Sequence, residues 1–94
     1  MRAEATPTVL IQDDCVRVTR FDFAPGAETG WHIHGHDYAI TAVTDCDMLI
    51  EEPDGGTRFV TVDAGAAYRR DAGTRHNVVN HGDAPMSFVE VELL

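Results

Sequence analysis

The chain has 94 residues, a net charge of −9 at pH 7 and 44% hydrophobic residues, enough for one domain with a modest core. The acidic balance argues against nucleic acid or an anionic membrane as partner, because phosphate contacts need clustered Lys and Arg. Every basic residue apart from histidine is arginine, which excludes a lysine Schiff base or lysine general base within these residues.

Taken in chain order, the pattern is β throughout. Residues 1–8 read as a loose arm or an edge strand, and 9–94 as one barrel domain. Val9–Ile11 is a short apolar run. Cys15–Phe23 alternates, with Val16, Val18 and Arg20 on one face and Arg17, Thr19 and Phe21 on the other. Pro25-Gly26 turns the chain, and Trp31–His34 is a strand. Tyr38–Val43 and Met48–Glu51 follow, separated by a polar turn. Pro53-Asp54-Gly55-Gly56 is a hairpin signal that returns the chain through Thr57–Val62. Ala67–Arg70, Arg75–Asn80 and Met86–Leu93 complete the set. No stretch sustains helical periodicity. Many short strands between turn signals predict a sandwich or barrel.

No apolar run approaches the ~20 residues of a membrane span. Residues 1–8 lack the apolar centre of a signal peptide, so a cytoplasmic protein is expected. Cys15 and Cys46 are too few for a disulfide framework, and both are expected as buried structural thiols.

The histidines carry the chemistry. Side chains at i and i+2 of a strand share a face, so His32 and His34 point together, with His36 and Tyr38 following if the strand stays regular; Gly35 and Asp37 instead suggest a turn or bulge there, with His36 exposed at the cavity mouth. Two imidazoles from one strand make half of a metal site, and His76 is the candidate for a third. Neutral imidazole binds Zn, Fe, Cu and Ni. Solvated surface histidines are the plain alternative to this pattern.

The stretch Gly26-x5-His32-x-His34-x3-Tyr38 and the stretch Gly65-x5-Asp71-x-Gly73-x2-His76-x3-Asn80 resemble, in order, the two motifs of the cupin superfamily. The resemblance implies an all-β, cupin-type jelly-roll barrel as a single domain. It implies one divalent metal ion per chain, Fe, Zn, Ni or Mn, held by His32, His34 and His76. Three departures stand out. Tyr38 occupies the place of the acidic ligand, Asp71 replaces a proline, and the glycine that closes the first motif is missing around Asp45. Without the carboxylate, three neutral imidazoles leave the site more positive, which favours an anionic substrate.

The runs Glu28-Thr29-Gly30-Trp31-His32 and Glu51-Glu52-Pro53-Asp54-Gly55 are similar to small single-domain bacterial cupins, some of them named for β-alanine degradation. The resemblance implies an enzyme of dioxygenase or isomerase/lyase type acting on a small polar metabolite, with Tyr38 and His36 as catalytic candidates. Arg69 or Arg75, if directed inward, would meet a substrate carboxylate. A non-catalytic metal- or ligand-binding module is equally compatible with these residues. A small-molecule ligand, no nucleic acid, no membrane and a homodimer are the expected partnerships.

Overall fold

The computed structural model describes residues 2–94. Nine strands follow one another: β1 Thr6–Gln12, β2 Val16–Phe23, β3 His32–Ile33, β4 Tyr38–Ala42, β5 Cys46–Glu51, β6 Thr57–Val62, β7 Ala67–Arg70, β8 Arg75–Asn80 and β9 Met86–Leu93. They form a five-stranded sheet in the order β1-β2-β9-β4-β7 and a four-stranded sheet in the order β3-β8-β5-β6. All named pairings are antiparallel. This is the jelly-roll barrel expected from the sequence. None of the described elements is a helix, so none is long and apolar enough to cross a membrane.

Alternation places the core. Tyr38, Ile40 and Ala42 of β4 face inward, as do Cys46, Met48 and Ile50 of β5. On β9 the inward row runs Met86, Phe88, Glu90, Glu92. It is apolar at one end and carboxylate at the other. Phe88 packs between Phe21 and Phe23 at ring-centroid distances of 5.5 and 5.3 Å. The apolar half of the barrel closes there, and the polar half holds the histidines.

Several expectations need adjustment. The strand carrying the histidine pair is only two residues long, because the chain leaves the sheet at His34-Gly35. His36 is exposed, as the turn signalled by Gly35 and Asp37 implied, and Tyr38 reaches inward from β4 instead of continuing β3. The arm expected over residues 1–8 supplies the start of β1, while Met1 lies outside the described residues. Cys46 is buried as expected, but Cys15 is exposed, since it sits in the β1–β2 turn. Asp13 Oδ1 there accepts the N–H groups of Cys15 and Val16 at 2.8 and 2.9 Å.

The glycine-anchored stretches are joined to each other. Gly73, at φ 89°, donates its N–H to His34 O at 2.7 Å, and His34 N–H returns to Thr74 O at 2.9 Å. That positive φ suits glycine. Gly26 N–H reaches Asn80 O at 3.0 Å, and the Asn80 amide donates to Ala84 O at 2.9 Å. Asn80 thus braces a turn far from the histidines. The two motif departures cost the backbone little: Asp71 O accepts the Thr74 hydroxyl at 2.8 Å. Asp45 Oδ1 accepts Ala64 N–H at 2.8 Å, and no described non-glycine residue has a positive φ.

Candidate metal centre

His32 and His76 are directly opposite in the β3–β8 register, and His34 follows on the loop that Gly73 holds. The three rings converge by their Nε2 atoms. His32 Nε2 stands 2.9 Å from His34 Nε2, which stands 3.2 Å from His76 Nε2. Two nitrogens each about 2.1 Å from a shared ion stand about 3.0 to 3.4 Å apart at right or tetrahedral angles, so this spacing fits an ion between them. Hydrogen bonding points the same way. His32 Nδ1 lies 2.8 Å from Gly30 O, an acceptor, so Nδ1 carries the proton and Nε2 presents its lone pair. A ring nitrogen carries at most one proton, and His34 Nε2 cannot serve both short contacts as a donor. A cation at the centre satisfies all three nitrogens.

Burial keeps the His34 and His76 rings neutral. It lowers His34 to about 4, helped by the neighbouring His32. Burial, then His32 and His34, lowers His76 to about 3. A neutral imidazole is the form that binds metal.

Asn77, next to His76, orders the loop that carries His32. Its amide nitrogen donates to Glu28 Oε1 at 2.8 Å and Glu51 Oε1 at 2.7 Å. Arg2 Nη1 joins the same two carboxylates at 3.1 and 2.8 Å. With the amide nitrogen pinned there, Asn77 Oδ1 must face Gly30, whose N–H it accepts at 3.0 Å. Gly30, at φ 85°, then turns its carbonyl to His32. The chain of contacts from Arg2 to the first imidazole is continuous.

Above the rings opens a cavity of about 380 Å³, whose wall includes Arg17, Phe21, Ile33, His36, Glu90 and Glu92. Arg17 holds Glu92 with two hydrogen bonds, at 3.0 and 2.7 Å. Burial raises Glu92, but the Arg17 bonds and charge outweigh it, and the carboxyl ends below its ordinary range. Glu90 goes the other way, raised by burial and then by the Glu92 charge. Its Oε1 lies 3.7 Å from His34 Nδ1.

The structure gathers His32, His34 and His76 into one cluster. His36 is not in it; it lies on the cavity rim. Tyr38, 1% exposed, stacks on the His34 ring at 3.8 Å and lines a small inner void with His76 and Tyr68. It does not line the outer cavity. Its hydroxyl makes no hydrogen bond of good geometry, with only the Thr74 hydroxyl nearby to accept it, and burial pushes the phenol further up. A phenolate ligand is disfavoured by that environment. Arg69 pairs with Asp37 at 3.0 Å and Arg75 lies over Trp31 at 5.5 Å; neither lines the cavity.

Sequence reasoning passed over Glu90, Glu92, Asn77 and Arg2. The glutamates were within reach: they continue the period-two row begun by Met86 and Phe88. For Asn77 and Arg2 no local signal exists.

Comparison with known proteins agrees with this architecture. The chain is 48% identical over 92 residues to the beta-alanine degradation protein BauB of Pseudomonas aeruginosa, covering 98% of this chain and 96% of that protein. A crystal structure of a cupin domain from Bordetella pertussis superposes with a TM-score of 0.95 at 40% identity, covering all of this chain and 97% of the other. The polyketide cyclase RemF of Streptomyces resistomycificus matches with a TM-score of 0.75 at 25% identity, covering 98% of this chain and 68% of the cyclase. The model of the cupin domain family matches residues 19–92. The chain belongs to the cupin family.

Proposed function

We propose that the protein binds one divalent metal ion on His32, His34 and His76 and acts as a metal-dependent enzyme on a small polar metabolite. The convergence of three Nε2 atoms beneath an open cavity carries this reading. When bound, the metal supplies Lewis acidity toward a substrate oxygen and open coordination positions, the requirement shared by dioxygenase and isomerase/lyase chemistry. The name of the Pseudomonas aeruginosa relative, a beta-alanine degradation protein, supports a small carboxylated metabolite.

The chain's own residues have distinct parts in this proposal. His32 presents its lone pair because Gly30 O fixes its proton on Nδ1. Phe21 and Ile33 give the cavity wall apolar surface. His36, on the rim, is placed to take or give a proton to a bound molecule. Tyr38 backs His34 and acts by holding that ring rather than by touching a ligand in the outer cavity. A non-catalytic metal- or ligand-binding module is the second reading. It is favoured by the uncharged Tyr38 at the place of the family's acidic ligand.

We also propose a homodimer. β1 is an edge strand exposed on both faces, with Val9, Leu10 and Ile11 each about half exposed. An apolar edge of that kind needs covering, and a second copy supplies a matching edge.

The test begins with elemental analysis of protein purified without chelators, where about one metal ion per chain is expected. His34→Ala should lose most of that metal and keep its far-ultraviolet circular dichroism. Unchanged metal content in this variant refutes the assignment. Turnover is then sought with the native metal across small carboxylates, thiols, diketones and amino-acid derivatives. No turnover across that panel, with full metal, shifts the reading to the binding module.

A further inference from the structure

The cavity over the histidines has a charge pattern that metal binding alone does not use. Arg17 is the one arginine in its wall, and Glu92 already occupies it through a two-point pair. Glu90 lies two residues earlier on β9 and so on the same face. Its side chain is 8% exposed and borders both the outer cavity and the inner void. Its polar neighbours are the Glu92 carboxyl and the His34 ring at 3.7 Å. Neither is a permanent cation, and the Arg17 charge reaches Glu90 only through space, its hydrogen bonds going to Glu92. A buried carboxyl facing a cavity without such a partner is costly, and a ligand bringing its own cation relieves that cost.

The histidine end has the opposite preference. Three neutral imidazoles around a divalent ion leave a net positive centre, which attracts an oxygen anion. The wall also includes Phe21 and Ile33, apolar surfaces suited to a short hydrocarbon spacer. The arginines that could have bound a substrate carboxylate elsewhere, Arg69 and Arg75, are engaged outside the cavity.

We propose that the cavity takes a small zwitterionic amino acid, its carboxylate at the three-histidine end and its ammonium on Glu90. Glu90 is then a ligand-binding residue and sets the preference for an amine-bearing molecule. This rests on the metal reading above. Charge complementarity of this kind determines specificity, because the wrong ligand leaves a buried group unpaired.

The experiment uses full-length protein loaded with Zn²⁺, its zinc content measured, and calorimetric titration with three probes built on three carbons: β-alanine, propionate and propylamine. The parent should bind β-alanine about tenfold or more tighter than either of the others. Glu90→Gln, still holding zinc, should bind β-alanine and propionate alike. Glu90→Asp, which keeps the charge, should restore part of the preference. Equal binding of β-alanine and propionate by the zinc-loaded parent overturns the inference, as does a preference that survives in Glu90→Gln. If Glu90→Gln loses zinc, the parent and Glu90→Asp still decide: a parent preference for β-alanine that Glu90→Asp weakens supports Glu90, and one that Glu90→Asp leaves unweakened overturns it. A parent that holds no zinc overturns the metal reading and this inference together, and the zinc measurement tells that failure apart.

Discussion

Replacing Asn77 by Ala should damage both stability and the metal centre. The side chain is 2% exposed and makes two hydrogen bonds to carboxylates and one to a backbone N–H. A hydrogen bond to a charged group contributes about 1.5–3 kcal/mol, and stranding a buried N–H costs about 1–3 kcal/mol. Glu28 and Glu51 keep Arg2 and some water, with side chains 27% and 26% exposed, so the lower end of each range applies. The loss is about 4 kcal/mol, a large share of the 5–15 kcal/mol typical of a domain. With Gly30 released, His32 loses its fixed tautomer, and zinc affinity should fall about tenfold or more. Urea unfolding of the metal-free protein reads the first effect, and chelator competition reads the second. Acid adds a signature. Asn77 and then Arg2 hold Glu28 below its ordinary 4.5, and Arg2 and then Asn77 do the same for Glu51. Their stabilisation is present above about pH 4.5 and lost as pH falls through the folded values, and this acid loss should shrink in Asn77→Ala. A stability change under about 1 kcal/mol together with unchanged zinc affinity would refute the network.

The remaining predictions concern the rings and the edge. The folded-state values of His34 and His76 lie near 4 and 3, below the ordinary 6.5, so the unfolded chain takes up protons first; metal-free stability should fall as pH drops below about 6.5, each ring contributing up to about 1.4 kcal/mol per pH unit. A flat profile from pH 7 to 4.5 in urea titrations would contradict neutral buried rings. Tyr38→Phe removes a buried hydroxyl that makes no hydrogen bond of good geometry and should leave stability unchanged or raise it by up to about 1 kcal/mol, with metal content intact; a drop in bound metal would make the phenol a ligand. Ile11→Asp, on the exposed β1 edge, should turn a homodimer into a monomer in light scattering, and identical masses for parent and variant would exclude β1 from the interface.

The sequence alone determined the strand set and the histidine trio. Alternation is a local property, so Tyr38–Ala42, Thr57–Val62 and Met86–Leu93 were legible from their own residues, as was the hairpin at Pro53–Gly56. The trio was legible because the two glycine-anchored stretches that hold it resemble the two cupin motifs in order; the spacing of the histidines alone left surface histidines as an open alternative. Other features needed the folded chain. β3 ends after two residues because its loop is held by the Gly73 turn, 38 residues beyond Gly35, and that put Tyr38 behind His34. Arg17 meets Glu92 across 75 residues, and Arg2 meets Glu51 across 49. Such meetings are fixed by which strands pair and in what register, and register is decided by the packing of the whole barrel at once. A one-residue slip of β9 would turn Glu90 and Glu92 out to solvent and Val89 and Val91 into the cavity, with the composition of the strand unchanged.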